Sequence, residues 1–323
     1  MFHNHWQEHD MLDLNLTMRW LSITISLMVI YLTGMMDDLV GVRYRAKFAV
    51  QIVCVLLITS SGLYFDNFYG LFGIHEIPAY VGIPLTVLIF CYILNAINLI
   101  DGIDGLASGL SMIAFFAFSC MFIRLHWWMY AFISVASFAV LIPFFYYNVF
   151  GKPRRGRKIF MGDTGSLTIG LLLAVCTIRL SMADPVKDSL LPSAIIIAFS
   201  FLLVPLLDVV RVVFCRLRRG KNPFEPDRNH IHHRLMAMGM SQRKALVCIV
   251  FVALAFVVFN MVLIYQISPT GMLVIDVALY GLMHVCIAAR IRQRQSAGES
   301  GRSLCSAISS LFRAKISELT QKI

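Results

Sequence analysis

With 323 residues, 59% of them hydrophobic and 14% charged, this sequence carries too little charge for a soluble globular domain, where about a quarter of residues are charged. Its net charge of +10 could suit nucleic acid, but the basic residues punctuate apolar runs of membrane-spanning length instead of forming one basic domain. The composition excludes a nucleic-acid partner and implies an all-α, polytopic membrane protein among membrane lipids.

Taken in chain order, residues 1–16 contain no Lys or Arg, so they lack the basic segment of a signal peptide. Nine apolar spans are then predicted, at about 17–36, 47–63, 80–97, 107–124, 129–147, 166–182, 190–214, 245–267 and 271–289. Nine spans divide the connections into two groups. The segments 37–47, 98–106, 148–164, 215–244 and the tail from Arg290 hold 3, 0, 5, 8 and 7 basic residues, which is 23 of the 28. Arg19, Arg124, Arg179 and Lys187 fall in the other group, with Arg211 inside a span. The positive-inside rule makes the first group cytoplasmic. Three regions follow: an extracytoplasmic segment 1–16, a membrane domain 17–290 and a cytoplasmic tail 291–323. In the tail Leu304, Ile308, Leu311, Phe312, Ile316 and Leu319 share one helical face, which predicts an amphipathic helix. The eight cysteines show no metal-type spacing and read as packing residues.

With sidedness fixed, the unusual polar residues gather at the inner mouths of successive spans. "GMMDDLVGV" closes the first with Asp37 and Asp38. "NAINLIDGIDGLASG" joins the third and fourth with Asn95, Asn98, Asp101 and Asp104. "FMGDTGS" opens the sixth with Asp163, and "NPFEPDRNHIHHRL" follows the seventh with Asp227, His230, His232 and His233. Each has a plain structural alternative, since Asp beside Gly, Thr or Ser makes turns and helix caps. Together, carboxylates and carboxamides at membrane depth point to a site. Oxygen ligands without Cys suit a hard cation such as Mg²⁺, with Mn²⁺ also admissible, and the neighbouring basic and imidazole groups suit phosphate. Zinc at "HIHH" is an alternative without supporting Cys or helical spacing. The set reads as Mg²⁺-assisted phosphoryl transfer at a membrane surface.

In this order, alternating with spans, the four motifs resemble the polyprenyl-phosphate N-acetylhexosamine-1-phosphate transferases, the bacterial glycosyltransferase family 4. The nearest resemblance is to enzymes that initiate O-antigen, enterobacterial common antigen and teichoic-acid linkage units on undecaprenyl phosphate. It covers about residues 20–290. The resemblance implies a bacterial inner-membrane enzyme of ten or eleven spans with its active site facing the cytoplasm, acting on cell-surface polysaccharide precursors. It implies that the lipid phosphate attacks the β-phosphate of a UDP-sugar, releasing UMP, with UDP-N-acetylglucosamine the leading donor. Asn98 and Asp163 match the Mg²⁺ ligands, and Asp37 and Asp38 the pair that activates or positions the lipid phosphate, with Lys47 beside them. Asp101 and Asp104 match the nucleotide-side acidic motif. Asn95, Arg216, Asp227, His230, His232 and His233 fall to substrate binding. A homodimer is compatible with this reading. The rival from another class is an ion-coupled secondary transporter with an interfacial acidic site, although transporters favour midplane sites. Family members usually carry two further spans before the Asp-Asp pair. The expectation is therefore that this chain starts late, leaving one wall of the site open and activity poor by itself.

Overall fold

The computed structural model describes the backbone of residues 3–183, 193–220, 222 and 229–320, and the side chains of 15–154, 156–183, 193–220, 222 and 229–296. The described chain is built from helices joined by loops, with one isolated antiparallel bridge, Asn67 to Glu76. The helices are α1 (His3–Val40), α2 (Tyr44–Ser60), α3 (Ala79–Ile100), α4 (Leu106–Arg124), α5 (Trp128–Phe150) and α6 (Gly162–Ser181). They continue with α7 (Ala194–Ser200), α8 (Leu203–Arg218), α9 (Ile231–Ala237), α10 (Gln242–Leu263) and α11 (Pro269–Thr320).

Among the described residues seven helices are long and apolar enough to cross a membrane, and an eighth crossing is the bent pair α7 and α8. The remaining predicted span is α2, whose 17 residues reach about 25 Å at 1.5 Å per residue, the short end of membrane-spanning length. The chain is an all-α, multi-pass membrane protein. The seventh span differs from a straight rod: α7 and α8 meet at 78°. Pro205, in the first turn of α8, has no N–H to offer the carbonyl of Phe201, so the ladder cannot run through this point. Helix α11 runs without interruption from Pro269 to Thr320.

Apolar side chains such as Leu32, Val53, Leu88, Phe132, Phe251 and Leu282 face outward, the arrangement a lipid environment requires. Helices α4 and α6 form the core instead. Ser166, Leu171, Leu173, Cys176 and Ile178 of α6 are fully buried. Helix α1 lies against α6 at Gly34, where a Cβ would stand 2.6 Å from the Cα of Thr164. Only a residue without a side chain lets the two backbones come this close, and this contact sets the end of α1 beside the start of α6. The opposite end is tied separately. There Arg19 donates from Nε to the Ser61 carbonyl at 3.4 Å, and the Arg179 guanidinium lies 3.6 Å from the Trp127 ring centroid.

Candidate active site

The first turn of α6 organises one half of the site. An α-helix begins with unpaired N–H groups, and here a neighbouring helix supplies their acceptors. From the end of α1, Asp38 Oδ1 accepts from the Asp163 amide at 2.8 Å. Its Oδ2 accepts from the Thr164 amide at 2.9 Å and the Thr164 hydroxyl at 2.5 Å. Asp37 meets the Asp163 side chain, not the backbone amides of that turn. Its Oδ1 accepts from the Val42 amide at 2.6 Å, and its Oδ2 takes the Lys47 ammonium at 2.7 Å. Lys47, in the first turn of α2, also pairs with Asp163 Oδ2 and so stands between two carboxylates. On the other side Asn98, at the end of α3, donates from Nδ2 to Asp163 Oδ1 at 3.0 Å and to Ser166 Oγ at 2.9 Å. Thus α1, α2, α3 and α6 each contribute a polar side chain to one point.

The end of α3 leads to the other half. Asp101 follows it directly; burial, then the negative charges of Asp104 and Asp163, push its carboxyl up to about 6. Among the described residues its carboxylate has no hydrogen-bond or ionic partner. Asp104 pairs with Lys158. Asn148 of α5 clamps this turn, accepting from the Gly105 amide at 2.6 Å and donating to the Ile159 carbonyl at 2.8 Å. Gly102 is the point of contact with the histidines: a Cβ there would lie 2.3 Å from His232 Nε2. The motifs "LIDGIDG" and "HIHH" are therefore packed together.

The histidines open α9, with His230 and His232 buried. His230 Nδ1 lies 2.8 Å from Asp208 Oδ2, and its ring is parallel to that of His232 at a centroid distance of 6.0 Å. Burial, then the neighbouring His233 and His230, pulls the His232 imidazole down to about 4, so it is neutral at pH 7. Among the described residues, both its ring nitrogens are without a hydrogen-bond partner. Asp208 is a fully buried hub. Besides His230 it accepts from the Ile231 amide at 3.1 Å and Arg211 at 2.8 Å, and from the Tyr280 hydroxyl of α11 at 3.4 Å. It thereby caps α9 from α8.

Ten of the thirteen expected site residues fall into these two linked clusters. Arg216 is buried in the last turn of α8. Asn95 faces away, donating to Gln51 Oε1 at 2.9 Å in a link between α3 and α2. Asp227 lies outside the described residues. Sequence reasoning passed over Asp208, Asn148, Gln51 and Tyr280. The available signal was Asp208 with Arg211 at i+3 within an apolar run, since charges at membrane depth normally pair. For a divalent cation, the oxygen donors that fit are the Asp163 carboxylate and the Asn98 carboxamide, with the unpartnered Asp101 close by. An amide that now presents Nδ2 to Asp163 can present Oδ1 by a flip. Two protein oxygens suffice for Mg²⁺, which takes its remaining ligands from water and phosphate. The rings of His230 and His232 lie parallel and that of His233 is tilted by 44° against His232, a face-on packing unlike nitrogens converging on a zinc ion.

Comparison with known proteins identifies the family. The family model for glycosyl transferase family 4 matches residues 20–181, half of the chain. A probable undecaprenyl-phosphate N-acetylglucosaminyl 1-phosphate transferase of Bacillus subtilis is 35% identical over 76% of this chain and 66% of its own length. An undecaprenyl-phosphate alpha-N-acetylglucosaminyl 1-phosphate transferase of Yersinia pestis is 32% identical over 68% of this chain and 59% of its own. A decaprenyl-phosphate N-acetylglucosaminephosphotransferase of Mycobacterium tuberculosis is 33% identical over 70% and 59% respectively. The chain thus spans 59–66% of the length of these relatives. All three are named as transferases, and the transporter reading draws no support from them.

Proposed function

Because this chain belongs to glycosyl transferase family 4, we propose that it transfers a sugar 1-phosphate from a UDP-sugar to a polyprenyl phosphate, releasing UMP. An oxygen of the lipid phosphate attacks the β-phosphorus of the donor. The bond from that phosphorus to the oxygen shared with the α-phosphate breaks, and UMP leaves with the electron pair. The observation that carries this reading is the Lys47 ammonium between Asp37 and Asp163, beside Asn98, at the membrane end where the acidic turn meets the histidines.

Phosphoryl transfer needs little covalent help from a protein and depends on placing reactants and balancing charge. The lipid phosphate has a second pKa of about 6, so at pH 7 it is mostly a dianion and needs no obligatory base. Asp37 and Lys47 therefore orient the acceptor phosphate. Asn98 and Asp163 would hold Mg²⁺, which when bound supplies positive charge to the donor diphosphate. Asp101 and Asp104 flank the donor side with Lys158. Neutral His232 and the Asp208-held His230 present imidazole nitrogens there, and the family resemblance assigns Arg216 and Asp227 to the donor as well.

The finer assignments are undecaprenyl phosphate as acceptor, UDP-N-acetylglucosamine as donor and a cytoplasm-facing site in a bacterial inner membrane. They draw on the relatives' names and on the positive-inside count. Incubating the protein with a mixed UDP-sugar pool and undecaprenyl phosphate, followed by mass spectrometry of the lipid fraction, tests them. The expected product is a polyprenyl-diphospho-N-acetylhexosamine. A product carrying another sugar class would reject the donor assignment.

A further inference from the structure

Adjacent carboxylates invite a shared role, yet Asp38 faces the backbone of residues 163 and 164, whereas Asp37 faces the Lys47 ammonium and the Asp163 carboxyl group. We infer that Asp38 is a positioning residue: it holds the first turn of α6, and through that turn the Asp163 carboxylate, in place, and does not touch the reacting groups. The inference rests on the transfer reaction proposed above.

Asp38 accepts three hydrogen bonds, all from residues 163 and 164: the two amides at 2.8 and 2.9 Å and the Thr164 hydroxyl at 2.5 Å. A carboxylate has about four acceptor positions, so three are committed to the helix start. The backbone around the carboxylate is shaped for this. Gly162 has φ +61, and a Cβ on it would stand 2.7 Å from Asp38 Oδ2, so the carboxylate occupies the space a side chain would need. One turn back on α1, Gly34 brings the helix within backbone contact of Thr164. No residue of α6 itself offers a side-chain cap at this end. Asp163 is fixed twice, its backbone by Asp38 and its carboxylate by Lys47 and Asn98. Asp37, by contrast, contacts the Lys47 ammonium and belongs to the charge cluster itself. A displacement of about 1 Å at a reacting group can cost about a hundredfold in rate, which makes the cap matter without any chemical step of its own.

The test compares Asp38→Ala, Asp38→Asn, Thr164→Val and the double variant Asp38→Ala/Thr164→Val in lipid nanodiscs. Two readouts are taken: amide hydrogen exchange of segment 161–166 without substrates, and the pH profile of turnover. In Asp38→Ala, exchange at residues 163 and 164 should speed up about tenfold, the usual weight of a lost cap, and turnover should fall about a hundredfold. Asn keeps one acceptor oxygen, so it should lose about tenfold or less in turnover with the wild-type pH profile. Thr164→Val should cost nothing further once Asp38 is Ala, because the two act as one unit. Exchange unchanged in Asp38→Ala would overturn the inference. So would an Asp38→Asn variant as inactive as Asp38→Ala with exchange at the wild-type rate, which would assign Asp38 a direct chemical role. If the unsubstituted chain transfers nothing, the transfer reading alone fails, and the exchange order still decides the cap.

Discussion

Lys47 balances the charge of two carboxyl groups that also meet each other, with Asp37 and Asp163 both within reach of its ammonium. Lys47→Met keeps the length of the side chain and removes the charge. Turnover is expected to fall about a hundredfold, the weight of one preorganised electrostatic group, with a larger effect on kcat than on donor KM. Steady-state kinetics over both substrates check this. His232 makes a second prediction. Its folded-state pKa is pulled down to about 4, below the ordinary 6.5 of the unfolded chain. Between these values the unfolded state binds more protons, so stability rises with pH across that window and falls as pH drops from 6.5 to 4. Melting temperatures over that range should show the slope in the wild type and a flatter one in His232→Gln. Most of these side chains were legible in the sequence, because acids, amides and imidazoles at the mouths of apolar spans have few other reasons to be there. Asp38 was legible as a polar residue but not in its orientation. Two adjacent Asp residues look alike in sequence, and only the approach of α6 separates them.

At the scale of elements, α9 is held to the site by Asp208, which is fully buried and serves His230, Ile231, Arg211 and Tyr280 together. Removing one partner of a buried charge pair costs about 3–5 kcal/mol, because the other charge is left unpaired. Asp208→Ala should therefore destabilise the protein by about that amount and weaken donor binding, measurable by thermal unfolding and by donor titration. The seam between α1 and α6 is as specific. Gly34→Ala places a Cβ 2.6 Å from a backbone atom that cannot step aside. A loss of about 1–3 kcal/mol in stability with reduced turnover is expected, while a glycine exposed to lipid would tolerate the change. The helices themselves were readable from apolar length alone. Asp208 was not, because it lies within the apolar run 190–214 and away from the mouths of the spans. Pro205 breaks it, and the 78° turn carries α8 toward the histidines.

For the whole molecule, sequence and structure meet in one alternation. The helix ends flanked by most of the basic residues are those that carry Asp37, Lys47, Asn98, Lys158 and His232. A site assembled from so many helix ends, with α6 at its centre, suits a reaction between a soluble anionic donor and a lipid anchored at the same surface. The pairing of the acidic turn with the histidines, through Gly102, could not be read from motifs about 130 residues apart in the chain. The central claim is the transfer itself, and UMP release tests it most directly. Protein in nanodiscs is given UDP-N-acetylglucosamine, undecaprenyl phosphate and Mg²⁺, alongside Asp163→Asn. The expected result is UMP formed in equal amount to polyprenyl-diphospho-sugar, dependent on both the lipid phosphate and the divalent cation, and lost in Asp163→Asn. UMP release that ignores the lipid phosphate, undiminished activity in Asp163→Asn, or neither UMP nor saturable donor binding would contradict the account.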